Sequence, residues 1–210
     1  MKILMGLLLI TSIQPAFADI QALQQRWAEV SFELAEDERQ KGLEDLAETV
    51  RQACDSNPDD AQLLVWKGII VSSLAGEKGG FSALSLVKEA KNALETAQKI
   101  DDTVLNGSVY TSLGTLYHKV PGWPVSFGSD KKAKQFLQQA LQKNPHGIEP
   151  NFFMAEIYYD DDEYQRARDY LLLAQQAPSL LNRPITDKAR RGEVTAMLKK
   201  VEFELNKDNH

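Results

Sequence analysis

The sequence has one cysteine, Cys54, and three histidines, His118, His146 and His210. One cysteine excludes an internal disulfide. A lone accessible thiol is a liability in an oxidising compartment, so Cys54 is expected to be buried packing and not a nucleophile. The histidines form no His/Cys pair at zinc-ligand spacing. No Ser-His-Asp pattern, nucleophile elbow or dinucleotide fingerprint is present. The expectation is a protein with no catalytic residue, no metal and no cofactor. Cations are the minority: Lys plus Arg number 24 against 30 Asp plus Glu, a net charge of −6. That excludes general nucleic-acid binding, which requires a basic face. Beyond residue 18 no run is long and apolar enough to span a membrane, so the chain is not expected to be membrane-embedded.

The first twenty residues, MKILMGLLLITSIQPAFADI, are different. Lys2 precedes an apolar run from Ile3 to Ile13, Pro15 breaks it, and Ala16-Phe17-Ala18 has the small-x-small form of a processing site. The expectation is a Sec signal peptide over 1–18 and a single domain over 19–210, periplasmic or secreted, with no cysteine after Ala18 to carry a lipid.

What the remainder has in quantity is small residues at a fixed spacing. Ala133, Leu137, Ala140 and Pro145 are offset by 4, 3 and 5. Leu46, Val50, Ala53 and Pro58 repeat those offsets, as do Ala90, Leu94, Ala97 and Asp102; Ala167, Leu171 and Ala174 follow with Pro178 one residue early. Such a stripe lets a second helix approach closely, and the final proline stops the first. Upstream of three of these stripes lies a second pattern: Tyr110, Leu113, Gly114 and Tyr117; Leu64, Gly68 and Val71; Met154, Ala155 and Tyr158. The small residue in each is expected where two helices of a hairpin touch.

These two half-patterns, three times in the right order, resemble the tetratricopeptide repeat family over nearly all of the chain after residue 18. The resemblance implies an all-α fold: a right-handed α-solenoid of about four helical hairpins, with units at about 19–58, 61–102, 107–145 and 148–179. A last stripe, Val194, Met197, Leu198, Val201 and Leu205, predicts a C-terminal capping helix over 184–207, capped by Thr186 or Asp187.

Two units carry extra residues. Ala155 precedes Ala167 by 12, whereas Gly68 precedes Ala90 by 22 and Gly114 precedes Ala133 by 19. Both excesses are expected in the turns between paired helices, which puts AGEKGGFSAL and HKVPGWPVSFGS side by side on one edge. Insertions gathered on one edge often mark a binding face. Lys78, Gly79 and Gly80 in the first, and His118, Pro121, Trp123 and Phe127 in the second, are therefore candidate binding residues. The inner face of the stack adds Thr111, Thr115, Phe152, Glu156 and Tyr159. This mixed apolar and polar groove suits another protein or a peptide segment. Trp123 and Phe127 either pack on the stack or wall a pocket. Asp160 to Glu163 lacks calcium-loop spacing and reads as a turn with a helix cap. Gly147, in NPHGIEPN, is expected to take a positive φ.

The run from Leu113 to Asp160 is also similar to a group of exported bacterial tetratricopeptide proteins that carry Val-Pro-Gly-Trp-Pro-x-x-Phe-Gly and then Asn-Pro-x-Gly-Ile-x-Pro-Asn. Some members look like the T component of tripartite periplasmic transporter systems. The resemblance implies an exported adaptor or scaffold without catalysis, or else a transporter's auxiliary subunit binding a small organic acid. The lipidation cysteine of that component has no counterpart here.

Overall fold

The computed structural model describes residues 20–207, so the signal-peptide reading of 1–18 lies outside the described residues. Among the described residues the chain is all helical, with no strand, and it forms a repeat-like series of hairpins. The helices are α1 (Ile20–Phe32), α2 (Glu36–Ser56), α3 (Ala61–Lys78), α4 (Gly80–Ile100), α5 (Val104–Lys119), α6 (Asp130–Lys143), α7 (Ile148–Asp160), α8 (Tyr164–Gln175) and α9 (Pro184–Lys207).

Two kinds of helix alternate. In α6 the buried residues are Ala133, Leu137 and Ala140, and in α8 they are Ala167, Leu171 and Ala174. One narrow stripe is enough for a helix that packs on one side only. By contrast α3 buries residues on nearly every face, among them Leu63, Val65, Trp66, Ile70, Val71 and Leu74. Such a helix needs neighbours on several sides. Side-by-side packing runs α1–α3, α3–α5, α5–α7 and α7–α9, and then from α9 back to α1. These five helices close into a ring. Each of α2, α4, α6 and α8 packs against its two ring neighbours, and α2 also reaches α4 through Arg51, which donates twice to Glu89 at 2.8 Å.

Close approach within hairpins rests on glycine. A Cβ on Gly68 would lie 2.4 Å from Cγ of Leu94, and one on Gly114 would lie 2.6 Å from Cγ of Leu137. Both leucines belong to the small-residue stripes of the partner helices. Cys54 is buried, and burial pushes its thiol from an ordinary 9.0 up to about 11.

Three expectations are corrected. The excess in the second unit is not a loop. It lengthens the two helices, so that α3 and α4 run to 18 and 21 residues where α7 and α8 have 13 and 12. Only Gly79, at φ 60, separates α3 from α4. Residues flanking it keep a helical apolar period, so water gains nothing from an unwound segment. Gly147 takes φ −70 and not a positive value. A side chain there would run into the Asn144 amide, so glycine serves clearance. Finally α9 starts at Pro184, ahead of Thr186 and Asp187. Proline fits a first helical position because it lacks the N–H that would be unpaired. Asp187 accepts from the backbone N–H of Leu180 at 3.0 Å and so ties the preceding turn to the helix.

The excess in the third unit does form a loop, between α5 and α6. Gly128 N–H donates to Pro121 O at 3.0 Å, and Ser129 N–H to Tyr117 O at 2.8 Å. A Cβ on Gly128 would fall 1.7 Å from Val120 O, so only glycine closes this loop.

Candidate functional site

A cavity of about 930 Å³ opens on the ring. Its walls come from α1, α3, the start of α4, α5 and α7, together with the 120–125 and 180–183 segments. That volume lies within the range of small-molecule pockets, and its lining is mostly apolar, as theirs is.

The tip of the α3–α4 hairpin and the α5–α6 loop both line it, through Gly79, Gly80, Phe81 and Ala83 on one side and Val120, Pro121 and Val125 on the other. The start of α5 is unusual. Leu105, Asn106 and Gly107 have φ of 51, 56 and 76, one left-handed turn before the helix proper. For residues with a Cβ such a conformation costs about 1–2 kcal/mol each. Leu105 and Asn106 both face the cavity, where held strain has a functional precedent.

Polar groups are interspersed in the wall, several of them hydroxyls. Ser73 donates to Ile69 O at 3.0 Å and accepts the indole N–H of Trp27 at 2.9 Å. Ser72 donates to Gly68 O, Ser108 to Leu105 O at 2.7 Å and Thr115 to Thr111 O at 2.9 Å. With their protons engaged by backbone carbonyls, these hydroxyls turn lone pairs outward. Trp66, packed edge-on to Trp27 with ring centres 5.7 Å apart, also lines the cavity. It is 2% exposed, and its indole N–H has no acceptor. A buried donor left unpaired costs about 1–3 kcal/mol. Arg183 meets Glu149 by one contact of 3.4 Å. A guanidinium carries five N–H donors, so most of this fork has no protein acceptor. Asn182 lies beside it in the wall.

The candidate residues from the sequence fall into two groups. Gly79, Gly80, Thr111, Thr115 and Pro121 line the cavity. The other seven are placed elsewhere. Lys78 pairs with Glu44 at 2.9 Å. His118 is held between Asp130 at 2.8 Å and Asp160 at 3.0 Å. Phe127 packs edge-on against Tyr117, centroid to centroid 5.2 Å, with the Lys91 ammonium 5.6 Å from its ring centre. Phe152 is buried under the Arg190 guanidinium, 4.9 Å from its centroid. Glu156 accepts from Lys119 at 3.1 Å, and Tyr159 packs on Tyr164 at 5.6 Å. Trp123 stands in solvent, 90% exposed. The acidic run is likewise engaged: Asp160 by His118, Asp161 by Lys134, Asp162 by the Tyr164 hydroxyl and Glu163 by Arg166. Among the described residues no group of three or more His, Cys, Asp or Glu is placed to hold a metal.

The sequence reading missed Trp27, Trp66, Phe153 and Arg183. Trp27 lies in the first unit, which lacks the second pattern, and Arg183 between the fourth unit and the last helix, outside both patterns.

Among the described residues, fold and site define an all-helical, repeat-like protein with a ligand-sized cavity. No protein-family model matches the chain, and no curated protein matches it. Among the described residues no helix is long and apolar enough to cross a membrane.

Proposed function

We propose that this is a tetratricopeptide-type binding protein whose ring cavity takes one small organic acid with an apolar body. It serves as an exported, non-catalytic auxiliary subunit of a transport system. The observation that carries this reading is the half-used Arg183 fork at the wall of an apolar cavity. A carboxylate accepts bidentate hydrogen bonds from such a fork. The start of α9, immediately after Arg183, adds favourable potential for an anion. The unpaired indole N–H of Trp66 offers a second donor to a polar atom of the bound molecule. The apolar body would lie against Leu105, Leu116, Val125 and Phe153.

The probe that tests this is 1-anilinonaphthalene-8-sulfonate, an anion with a flat apolar body. Saturable binding of one probe per chain is expected, about tenfold weaker in Arg183→Gln, the effect of losing one charge-assisted contact. Absence of saturable binding by the folded protein would defeat the reading. The export part of the proposal is checked by the N-terminal sequence of the protein recovered from cells, with Asp19 expected first.

A further inference from the structure

Among the described residues, seven large hydrophobic side chains are exposed; two of them line the cavity and two more stand next to lining residues in the chain. Phe81 (89% exposed) and Val125 line the cavity at its edge. Trp123 (90%) lies between Pro121 and Val125, and Leu181 (89%) between Leu180 and Asn182, all four neighbours being lining residues. The start of α4, the α5–α6 loop and the turn before α9 thus carry an exposed Phe, Trp and Leu beside the cavity lining. The fold does not need Trp123 there. The loop is closed by Gly128, by Ser129 and by Phe127 packing on Tyr117. A nearly naked tryptophan is costly to leave in water and is a favoured interface residue.

We propose that this face is a dimer interface. A second copy of the chain docks mouth to mouth, and the partner subunit's Trp123 enters the edge of the cavity. Three features favour a second copy over other occupants. Knob and hole lie on one face, which is what a two-fold interface requires, since each copy must offer both. The charges at the mouth cancel within the chain: Lys119 is held by Glu156 at 3.1 Å and Arg183 by Glu149 at 3.4 Å. Two such faces meet without like-charge repulsion, although the chain as a whole carries −6. The area also suffices. Two copies of Phe81, Trp123 and Leu181 alone bring on the order of 1,000 Å² into contact, near the lower bound for a specific interface. In the dimer each subunit completes the other's cavity wall, so the site is closed only in the pair.

Sedimentation of the purified protein over a range of micromolar concentrations tests this, with Trp123→Ser, Leu181→Ser and Phe203→Ser beside the wild type. Wild type is expected at twice the chain mass. Trp123→Ser and Leu181→Ser should dissociate roughly 30-fold more readily, the scale of losing one buried anchor. Phe203→Ser, exposed but on α9, should match wild type. Tryptophan emission of the wild type should shift to the red on dilution as Trp123 returns to water. That readout needs no variant to fold. A single-chain mass for wild type throughout the range overturns the proposal. So does a dimer that Trp123→Ser and Leu181→Ser leave intact. A single-chain protein that co-sediments with phosphatidylcholine vesicles through Trp123 would assign the face to a lipid surface and equally overturn it.

Discussion

His118 Nδ1 lies 2.8 Å from Oδ1 of Asp130, closing the neck of the loop that carries Trp123. The other ring nitrogen meets Asp160 at 3.0 Å. One side chain at the end of α5 thereby holds the first turn of α6 and the last turn of α7. His118→Phe removes both contacts and leaves two carboxylates facing a ring. A loss of about 1.5–3 kcal/mol is expected, the usual range for hydrogen bonds to charged groups. Urea unfolding followed by circular dichroism measures it.

Two glycines should respond in opposite directions to the same substitution. Gly114→Ala places a methyl 2.6 Å from Leu137 and 3.1 Å from the Ala133 carbonyl. Overpacking of this kind costs about 1–3 kcal/mol. Gly192, within α9, has nothing within 4 Å of a built Cβ. There Gly192→Ala should stabilise by about 0.5–1 kcal/mol through helix propensity. Thermal unfolding of the two variants beside wild type decides both.

Cys54 gives a pH prediction. Its thiol ionises near 9.0 in an open chain and at about 11 in the folded one, because burial disfavours the thiolate. Between those values the unfolded chain has lost a proton that the folded chain keeps. Stability must therefore fall as pH rises through that window. Cys54→Ala removes this contribution, so its stability should decline less than wild type between pH 9 and 11. In the same protein a thiol reagent at pH near neutral should react only after denaturant is added.

Asp187 acts at the opposite end of the scale. The Arg191 side chain and the Leu180 N–H hold its carboxyl below the usual range of 3.8. The stabilisation is present above that value and is lost as pH falls through the lower, folded one. Asp187→Asn should flatten the acid limb of the stability curve. Because Asp187 fixes the turn carrying Asn182 and Arg183, it should also weaken binding of the anilinonaphthalene sulfonate probe. Equal probe affinity in the two proteins would dissociate the turn from the site.

The all-helical class was legible because its signal is local. Ala133, Leu137 and Ala140 lie on one face of a helix, and Gly68 and Gly114 have no other reason to recur at their positions. The second-unit excess was misread because Gly79-Gly80 is a loop signature, while Leu74, Ala75, Ala83 and Val87 on either side preserve a helical period. The cavity was less legible. Trp27, Trp66 and Arg183 lie in α1, in α3 and in the turn before α9, and nothing local says that they share a wall. His118 read as a candidate binding residue because its two partners lie 12 and 42 residues away.

The packing of α9 on α1 bears on how the molecule comes apart. An open row of hairpins has two free ends and can lose structure from either, one unit at a time. Here the last helix is also the neighbour of the first, so peeling it away uncovers α8 and α1 together. Melting is then expected to be a single concerted event, and damage to any one hairpin should be felt by all.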